Sequence, residues 1–409
     1  MKNGKLKIIV AGIIARYPFG GVTWCSLMYL VGLRALGHDV YYLEDTGECV
    51  YDYEQNTISL DSSYGLNYIN SSLSQFGLDD CWIFVDYEGK YYGKTKEETK
   101  QICNDADLFI NLSGGSWFWR DEYQKIPRKI FIDSDPAFTQ AALAKNETWY
   151  VEFFKKFDAL FTFGRNLGAD DCAIPDTPFE WKKTWQPIVC DEWKTETAPT
   201  RDVFTTVMTW KNQSFADADG NKDKQFAQFF DLPKKTEQTI ELAVNGAQDL
   251  LRSHGWRTVD GMSVSKNLNL YRDYIQISKA EFSVAKHLYV TTKSGWFSDR
   301  SECYLAAARP VLVQKTGFEK YLPTGEGLLA FGNLEEALDG IESINADYSR
   351  HSRKADEIAR EFFDAKVVLP QLLRDAEVEN EFSDASNRTA SNQKLFSPKT
   401  AANCGELNL

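Results

Sequence analysis

Residues 294–318 read SGWFSDRSECYLAAARPVLVQKTGF, a pattern that predicts a short helix followed by a buried strand. Ser298 and Asp299 are favourable N-cap residues for that helix. Pro310 ends it, because proline has no N–H to donate to the preceding turn. Val311–Val313 is then an apolar run of the kind found in buried parallel strands. The stretch therefore has the pattern of one helix–strand unit in an α/β sheet.

The ends of this helix–strand unit predict an anion site. The free N–H groups and the dipole of a helix N-terminus attract anions, and ligands of open α/β sheets bind outside the carboxyl ends of the strands. An ordinary capped helix without a ligand fits the same spacing. If a phosphate binds here, the residues nearest to it are Ser298, Asp299, Arg300, Ser301 and Glu302, followed by Thr316, Gly317 and Phe318 in the loop after the strand.

The composition fits a multidomain protein and argues against one class of partner. With 409 residues the chain is long enough for two or three domains, and 43% hydrophobic residues are enough to build their cores. Its formal net charge is −13, whereas a nucleic-acid-binding protein needs a basic face. We therefore expect no nucleic-acid partner, while a local basic pocket for a phosphorylated ligand is compatible with this charge.

Cysteine usage and the lack of long apolar segments predict a cytoplasmic protein. The eight cysteines are scattered without a C-x-x-C pair, which favours free thiols in a reducing compartment. No histidine lies near a cysteine cluster, so we expect no zinc site. The N-terminus lacks the apolar core of a signal peptide, and no segment approaches the roughly 18 apolar residues of a transmembrane helix. Peripheral contact with a membrane is left open.

The N-terminal segment has the pattern of a βαβ unit. Leu6–Ile14 is predicted as a buried strand, Val22–Leu36 as a helix and His38–Leu43 as the second strand. The turn before the helix contains Gly20 and Gly21 but not the G-x-G-x-x-G fingerprint, which argues against a dinucleotide-dependent dehydrogenase. A tight turn that requires positive φ, without any ligand, also explains this glycine pair.

Carboxylates follow two predicted strands of the N-terminal half. These strands alternate with helical segments, which predicts a doubly wound parallel sheet whose carboxyl ends share one rim. The predicted strand Arg128–Asp133 ends in one carboxylate and Asp135 follows it, and Asp133 and Asp135 are the leading candidates for a general base. Glu44 and Asp45 come next. A turn or N-cap role is the alternative for each of them taken singly.

Four runs in the C-terminal half carry a resemblance to a known family. WFSDRS, YLAA, RPV and LPTGEG all lie between Ser294 and Gly327. They resemble the nucleotide-sugar end of GT-B fold glycosyltransferases, and in particular a bacterial group related to families 1 and 4. The resemblance implies two Rossmann-like, doubly wound α/β domains that face each other across a cleft. It is moderate over Leu6–Glu44 and weak between these two regions.

The resemblance also implies a division of the chain. Glu180–Trp193 looks like a crossing between domains, a polar linker follows it, and a second sheet begins near Asp202. The expected parts are an N-terminal acceptor domain at 1–195, a C-terminal nucleotide-sugar domain at 200–345, helices at 346–376 that pack back on the junction, and a disordered tail at 377–409.

A glycosyltransferase of hexosyltransferase type is the function that the resemblance implies. Such an enzyme moves a sugar from a nucleotide-diphosphate sugar to the hydroxyl of an acceptor, here a glycan, a lipid or a small molecule. By resemblance, Gly20, Gly21 and Thr23 lie near the sugar or acceptor, and Lys222 and Lys286 near the donor. Many retaining members carry an acidic residue seven positions before the proline, where this chain has Cys303 and places Glu302 one residue earlier.

We expect the donor to bind without a metal or another cofactor. Metal-dependent transferases usually offer clustered carboxylates, and the nearest pattern here is Asp217-x-Asp219 in a polar loop. A helix N-terminus together with Arg300, Lys222 and Lys286 can offset the charge of a diphosphate instead. A nucleotide-sugar epimerase or hydrolase on the same fold and a non-catalytic nucleotide-sugar-binding protein are the alternative functions.

Overall fold

The structure, a computed structural model, describes residues 4–145, 148–195, 197–210 and 221–378. The Asp217-x-Asp219 pattern and the predicted tail beyond Val378 lie outside the described residues. The described chain forms two sheets flanked by helices and one separate antiparallel hairpin. Within these ranges, no helix combines the length and the apolar character needed to cross a bilayer.

Sixteen strands are present in the described chain. In chain order they are β1 Lys7–Ala11, β2 Asp39–Glu44, β3 Val50–Asp52, β4 Thr57–Ser59, β5 Trp82–Val85, β6 Tyr91–Tyr92, β7 Leu108–Leu112, β8 Arg128–Asp133, β9 Ala159–Thr162, β10 Trp181–Lys183, β11 Phe204–Thr209, β12 Ile240–Asn245, β13 Arg257–Asp260, β14 Ala280–Ser283, β15 Val311–Gln314 and β16 Leu328–Phe331.

Both sheets have the strand order of a Rossmann domain. The first runs β10-β9-β8-β7-β1-β2-β5-β6, parallel except where β6 turns back on β5, and the second runs β13-β12-β11-β14-β15-β16, parallel throughout. In each sheet the order of the strands reverses beside the strand that comes first in sequence, β1 or β11. This position is the switch point at which open α/β sheets bind ligands. The predicted fold class is therefore confirmed.

The α-helices cover both faces of the sheets. They are α1 Gly20–Ala35, α2 Ser63–Ser74, α3 Lys96–Asp105, α4 Asp121–Gln124, α5 Phe138–Ala144, α6 Thr148–Phe154, α7 Cys190–Trp193, α8 Lys222–Phe226, α9 Gln248–Ser253, α10 Gly261–Ser265, α11 Leu268–Ile277, α12 His287–Thr291, α13 Asp299–Ala306, α14 Leu334–Ala346, α15 Tyr348–Ile358 and α16 Ala365–Asp375.

The C-terminal helices return to the first sheet. A π-helical turn, Ala359–Phe363, leads from α15 to Asp364, whose side chain accepts a hydrogen bond from the N–H of Lys366 and caps α16. Helix α16 then packs so closely on α1 that a Cβ at Gly32 would lie 2.5 Å from Leu369. The amphipathic pattern of Ser349–Leu373 predicts a helical region that is broken near Asp364 and ends near Pro370. The break at Asp364 is confirmed, whereas the end near Pro370 is wrong, because α16 continues through the proline.

The segment predicted to cross between the domains is only partly a crossing. Trp181–Lys183 forms strand β10, which pairs in parallel with β9 at the edge of the first sheet. Ile188 then makes an isolated bridge with Asp364. A strand of three residues flanked by polar positions shows too little hydrophobic periodicity for the sequence to distinguish an edge strand from a linker.

Gly20 and Gly21 open helix α1, and neither has positive φ, so the explanation as a strained turn was wrong. Gly20 is required by close approach instead. A Cβ there would lie 2.5 Å from the carbonyl oxygen of Asn267 and 2.5 Å from Cβ of Tyr271, at the start of α11. At Gly21 the nearest atom, on the Tyr271 ring, is 3.4 Å away. Gly20 therefore lets α1 of the first domain meet α11 of the second.

This difference predicts unequal effects of two neighbouring substitutions. Gly20→Ala is expected to lower the free energy of unfolding by about 1–3 kcal/mol, because the added methyl group overpacks the junction. Gly21→Ala, which gains the same helix propensity, is the matched control and should not destabilise the protein. Urea unfolding of both variants measures the difference. Equal stability of the two variants would contradict the role of Gly20 at this contact.

Candidate active site

A cleft of about 450 Å³ lies between the two sheets. One wall is the N-terminal part of α1, and the other includes the carboxyl-terminal residues of β11 and β12, residues that follow β13 and β14, and the start of α13. The lining residues are Phe19, Gly21, Val22, Cys25, Val207, Met208, Thr209, Asn221, Lys222, Asn245, Gly261, Met262, Ser265, Tyr271, Lys286, Trp296, Ser298, Asp299 and Arg300. The N-termini of α1 and α13 both face this cleft, so both helix dipoles favour an anion there.

Lys222, Lys286 and Arg300 all line the cleft. Burial lowers the pKa of Lys222 well below its ordinary value, the neighbouring charges of Arg300 and Lys286 lower it further, and the carboxylates of Glu281 and Asp299 oppose the shift. The ammonium group of Lys222 donates a 2.7 Å hydrogen bond to the carbonyl of Val284, and no carboxylate of the described residues lies within ion-pair distance. An anion in the cleft would therefore give Lys222 the direct ion-pair partner that the described residues do not provide.

The other two cations are already paired. Arg300 donates to Glu281 Oε1, the carbonyl of Val207 and Ser283 Oγ, at 2.7, 2.8 and 2.7 Å respectively. These contacts hold the guanidinium in the wall of the cleft, so Arg300 contributes positive charge rather than an unpaired guanidinium group. Lys286 bridges the cleft instead, and its Nζ lies 2.8 and 3.0 Å from the carboxylate oxygens of Asp135.

The predicted phosphate residues divide into two groups. Ser298, Asp299 and Arg300 line the cleft, whereas Ser301 and Glu302 are buried residues of α13 that do not line it. Burial and the charge of Asp299 raise the pKa of Glu302, and its Oε2 has no hydrogen-bond partner. The geometry therefore does not place Glu302 against a ligand in the cleft.

The loop after β15 lies behind the cleft. Thr316 and Phe318 line a void of about 10 Å³ there, together with Ser301, whose buried hydroxyl has no partner. Gly317 has φ +98° and a Cβ at this position would lie 3.0 Å from the carbonyl of Lys293. Thr316, Gly317 and Phe318 therefore do not line the cleft.

Asp133 does not line the cleft either. Its buried carboxylate accepts hydrogen bonds from Thr139 Oγ1, Gln140 Nε2 and Thr162 Oγ1, at 2.7, 2.9 and 3.0 Å. Burial raises its pKa, and these hydrogen bonds oppose the rise. Thr23, predicted to lie near the sugar, is also buried, and its hydroxyl bonds to the carbonyl of Phe19 at 2.8 Å. Both residues hold local structure.

Glu44 and Asp45 are likewise occupied. Glu44 accepts hydrogen bonds from the backbone N–H groups of Ala15 and Arg16, each at 2.7 Å, and burial raises its pKa to about 7. Asp45 is paired with Arg120, whose Nε and Nη2 lie 2.6 and 2.9 Å from its two oxygens. These carboxylates therefore fix loops at the rim of the first sheet.

A second, smaller space of about 190 Å³ adjoins the cleft on the side of the first sheet. We call it the chamber; it is lined by Gly12, Ile13, Val22, Cys25, Ser26, Leu112, Ser113, Ser134, Phe163, Gln186, Trp296 and Asp299. Val22, Cys25, Trp296 and Asp299 line both spaces. In the described part of the chain, Asp299 is the only carboxylate that lines either of them.

Sequence reasoning missed two residues where the spaces meet. The Cys25 thiol donates to Asp299 Oδ2 at 2.7 Å, and Trp296 Nε1 donates to the carbonyl of Ser134 at 3.1 Å. Both contacts join the first domain to the second. Cys25 lies one helical turn after Gly21 on α1, and Trp296 lies within the stretch 294–318, so helical spacing and position were the available signals.

Comparisons with known proteins identify related architectures. No protein-family model matches the chain, and no curated protein does. An α-glucosyltransferase solved with UDP and a 13-mer DNA matches over 90% of this chain and 98% of its own, at 13% identity and a TM-score of 0.58. HepE of Anabaena, solved with UDP and glucose, matches over 91% and 99%, at 12% identity and a TM-score of 0.53. At these identities the likeness establishes the fold, and the chain has the GT-B fold of two facing Rossmann-like domains.

Proposed function

We propose that this protein is a glycosyltransferase that moves a sugar from a nucleotide-diphosphate sugar to an acceptor hydroxyl in the interdomain cleft. The observation that carries this proposal is the buried ammonium of Lys222, which lies beside the N-terminus of α13 and has no ion-pair partner among the described residues. A diphosphate would supply such a partner at this position. The solved structures of the same fold that contain UDP or a UDP-sugar support the choice of ligand.

The lining of the cleft suggests how a donor would lie in it. Its volume falls within the usual range for a small-molecule site, about 300–1,000 Å³. The diphosphate would lie over Lys222 and Ser298, and the nucleoside would extend towards Asn245 and Ser265 at the far end. Asn245 Oδ1 is buried without a hydrogen-bond partner, so it is an acceptor available to a base or ribose. The sugar would then lie beside Asp299, where the cleft meets the chamber.

The two carboxylates proposed as general bases differ in their positions. Asp133 is enclosed by three donors away from the cleft, which makes it a poor base. Asp135 lies at the edge of the cleft, where it is paired with Lys286. It is therefore the better placed of the two, but Asp299 is the carboxylate of the described residues that lines both the cleft and the chamber, and we assign acceptance of the hydroxyl proton to Asp299. The donor is proposed to bind without a metal, because Lys222, Lys286 and two helix N-termini supply the positive charge.

Titration calorimetry with UDP and UDP-glucose, with and without EDTA, tests this function. We expect saturable binding of both ligands, unchanged by EDTA, and release of UDP when acceptors from a cell extract are added. Release of free glucose without an acceptor would identify a hydrolase, and a changed sugar on intact nucleotide an epimerase. Binding without turnover across many acceptors would identify a binding protein. Absence of nucleotide-diphosphate binding would overturn the proposal.

A further inference from the structure

The chamber is built from the carboxyl ends of four strands of the first sheet. Gly12, Ser113, Ser134 and Phe163 directly follow β1, β7, β8 and β9 respectively, and all line the chamber. The second domain closes the opposite side with Trp296 and Asp299. Because Asp299 also lines the larger cleft, a molecule in the chamber would meet the proposed donor at this carboxylate.

The lining excludes one class of occupant by charge. Among the described residues, no lysine, arginine or histidine lines the chamber, and its one charged group is the carboxylate of Asp299. An anionic compound would lose its hydration without gaining a cation, and it would be repelled by Asp299. The remaining lining is mainly apolar, with Ile13, Leu112 and Phe163 among the side chains.

The volume limits the size of the occupant. An engineered apolar cavity of about 150 Å³ in another protein holds benzene. The chamber, at about 190 Å³, therefore accommodates one ring with one or two small substituents. A chain of several sugar rings does not fit inside it.

Asp299 provides a defined partner for a hydroxyl group. Its Oδ2 accepts the Cys25 thiol at 2.7 Å, whereas its Oδ1 has only a long contact of 3.4 Å with Ser298 Oγ. Oδ1 therefore retains the capacity to accept a strong, charge-assisted hydrogen bond from an alcohol or phenol. Such a bond would direct the hydroxyl oxygen towards the cleft.

We propose that the chamber is the acceptor subsite and that it takes an uncharged, ring-sized alcohol or phenol whose hydroxyl group bonds to Asp299. The role of the chamber as an acceptor subsite rests on the proposed function. The class of compound rests on the lining and the volume of the chamber. In the transfer, the acceptor oxygen forms the new bond to the anomeric carbon, the bond from that carbon to the diphosphate breaks, and Asp299 holds the hydroxyl proton.

A matched pair of compounds tests the charge rule. 4-Hydroxybenzamide is neutral and 4-hydroxybenzoate is anionic, with nearly the same shape. Saturation-transfer NMR, with and without UDP, should show the amide binding at least tenfold more tightly than the benzoate. Asp299→Asn should reduce this discrimination, because it removes the repelling charge. Equal binding of the two compounds to the unmodified protein would overturn the proposal.

Two blocking substitutions test the location. Ile13→Trp fills the chamber, and it should weaken binding of the amide at least tenfold while the Kd for UDP changes less than twofold. Ser134→Leu is a second blocker if the first does not fold, since Ser134 is only half buried. Amide binding that survives both substitutions would place the compound elsewhere. If UDP does not bind at all, the proposed donor site is wrong. Binding of 4-hydroxybenzamide measured without UDP still tests whether the chamber is its binding site.

Discussion

Replacement of Arg300 by methionine is expected to lower the free energy of unfolding by about 3–5 kcal/mol, as is typical when one partner of a buried ion pair is removed. Glu281 is fully buried, and its only ion-pair partner among the described residues is Arg300. Its second oxygen, Oε2, already lacks a hydrogen-bond partner. The substitution would leave this buried carboxylate without an ion-pair partner among the described residues.

Urea unfolding of Arg300→Met measures this effect, and two further variants define its cause. Adding Glu281→Leu should restore much of the loss, because a buried ion pair is often replaced by apolar residues at little cost. Lys234→Met breaks the exposed pair with Asp231 and should change stability by no more than about 1 kcal/mol. A loss below about 1 kcal/mol for Arg300→Met itself would show that Glu281 finds another partner.

Lys222→Met is expected to act in the opposite way, with little effect on stability and a large effect on the ligand. A charge-assisted contact with phosphate contributes about 1.5–3 kcal/mol, so UDP should bind about 10- to 150-fold more weakly. Stability should be unchanged or higher, because burial already disfavours the ammonium and lowers its pKa in the empty cleft. Calorimetry and urea unfolding of the same variant separate the two effects.

The lowered pKa of Lys222 also predicts a pH dependence. Bound diphosphate favours the ammonium form, so its pKa should rise on binding and the protein should take up protons. UDP affinity should therefore fall as pH increases through the pKa that Lys222 has in the free protein. Lys224→Met, an exposed lysine on the same helix, is the control and should keep its UDP affinity within twofold. Unchanged UDP binding by Lys222→Met would refute the phosphate site.

Much of the fold could be predicted because strand and helix patterns are local. The strand Arg128–Asp133 has the predicted bounds, and the helix after Ser298 begins at Asp299. Continuous apolar runs identify parallel strands buried on both faces, and their alternation with helices specifies a doubly wound sheet. The edge strand Trp181–Lys183 was missed, because pairing on one side leaves only a weak pattern in so short a segment.

The sequence by itself indicated the doubly wound sheets and a helix that starts just after Ser298, and the resemblance added Lys222 as a residue near the donor. Only the tertiary structure decided which carboxylates are available. Asp133 looked like a free base in the sequence, but three side chains from helix α5 and strand β9 enclose it. Asp299 looked like a helix cap, but the approach of the two domains places it between the cleft and the chamber. The physical reason is that secondary structure depends on neighbours along the chain, whereas the exposure and partners of a carboxylate depend on residues more distant in sequence.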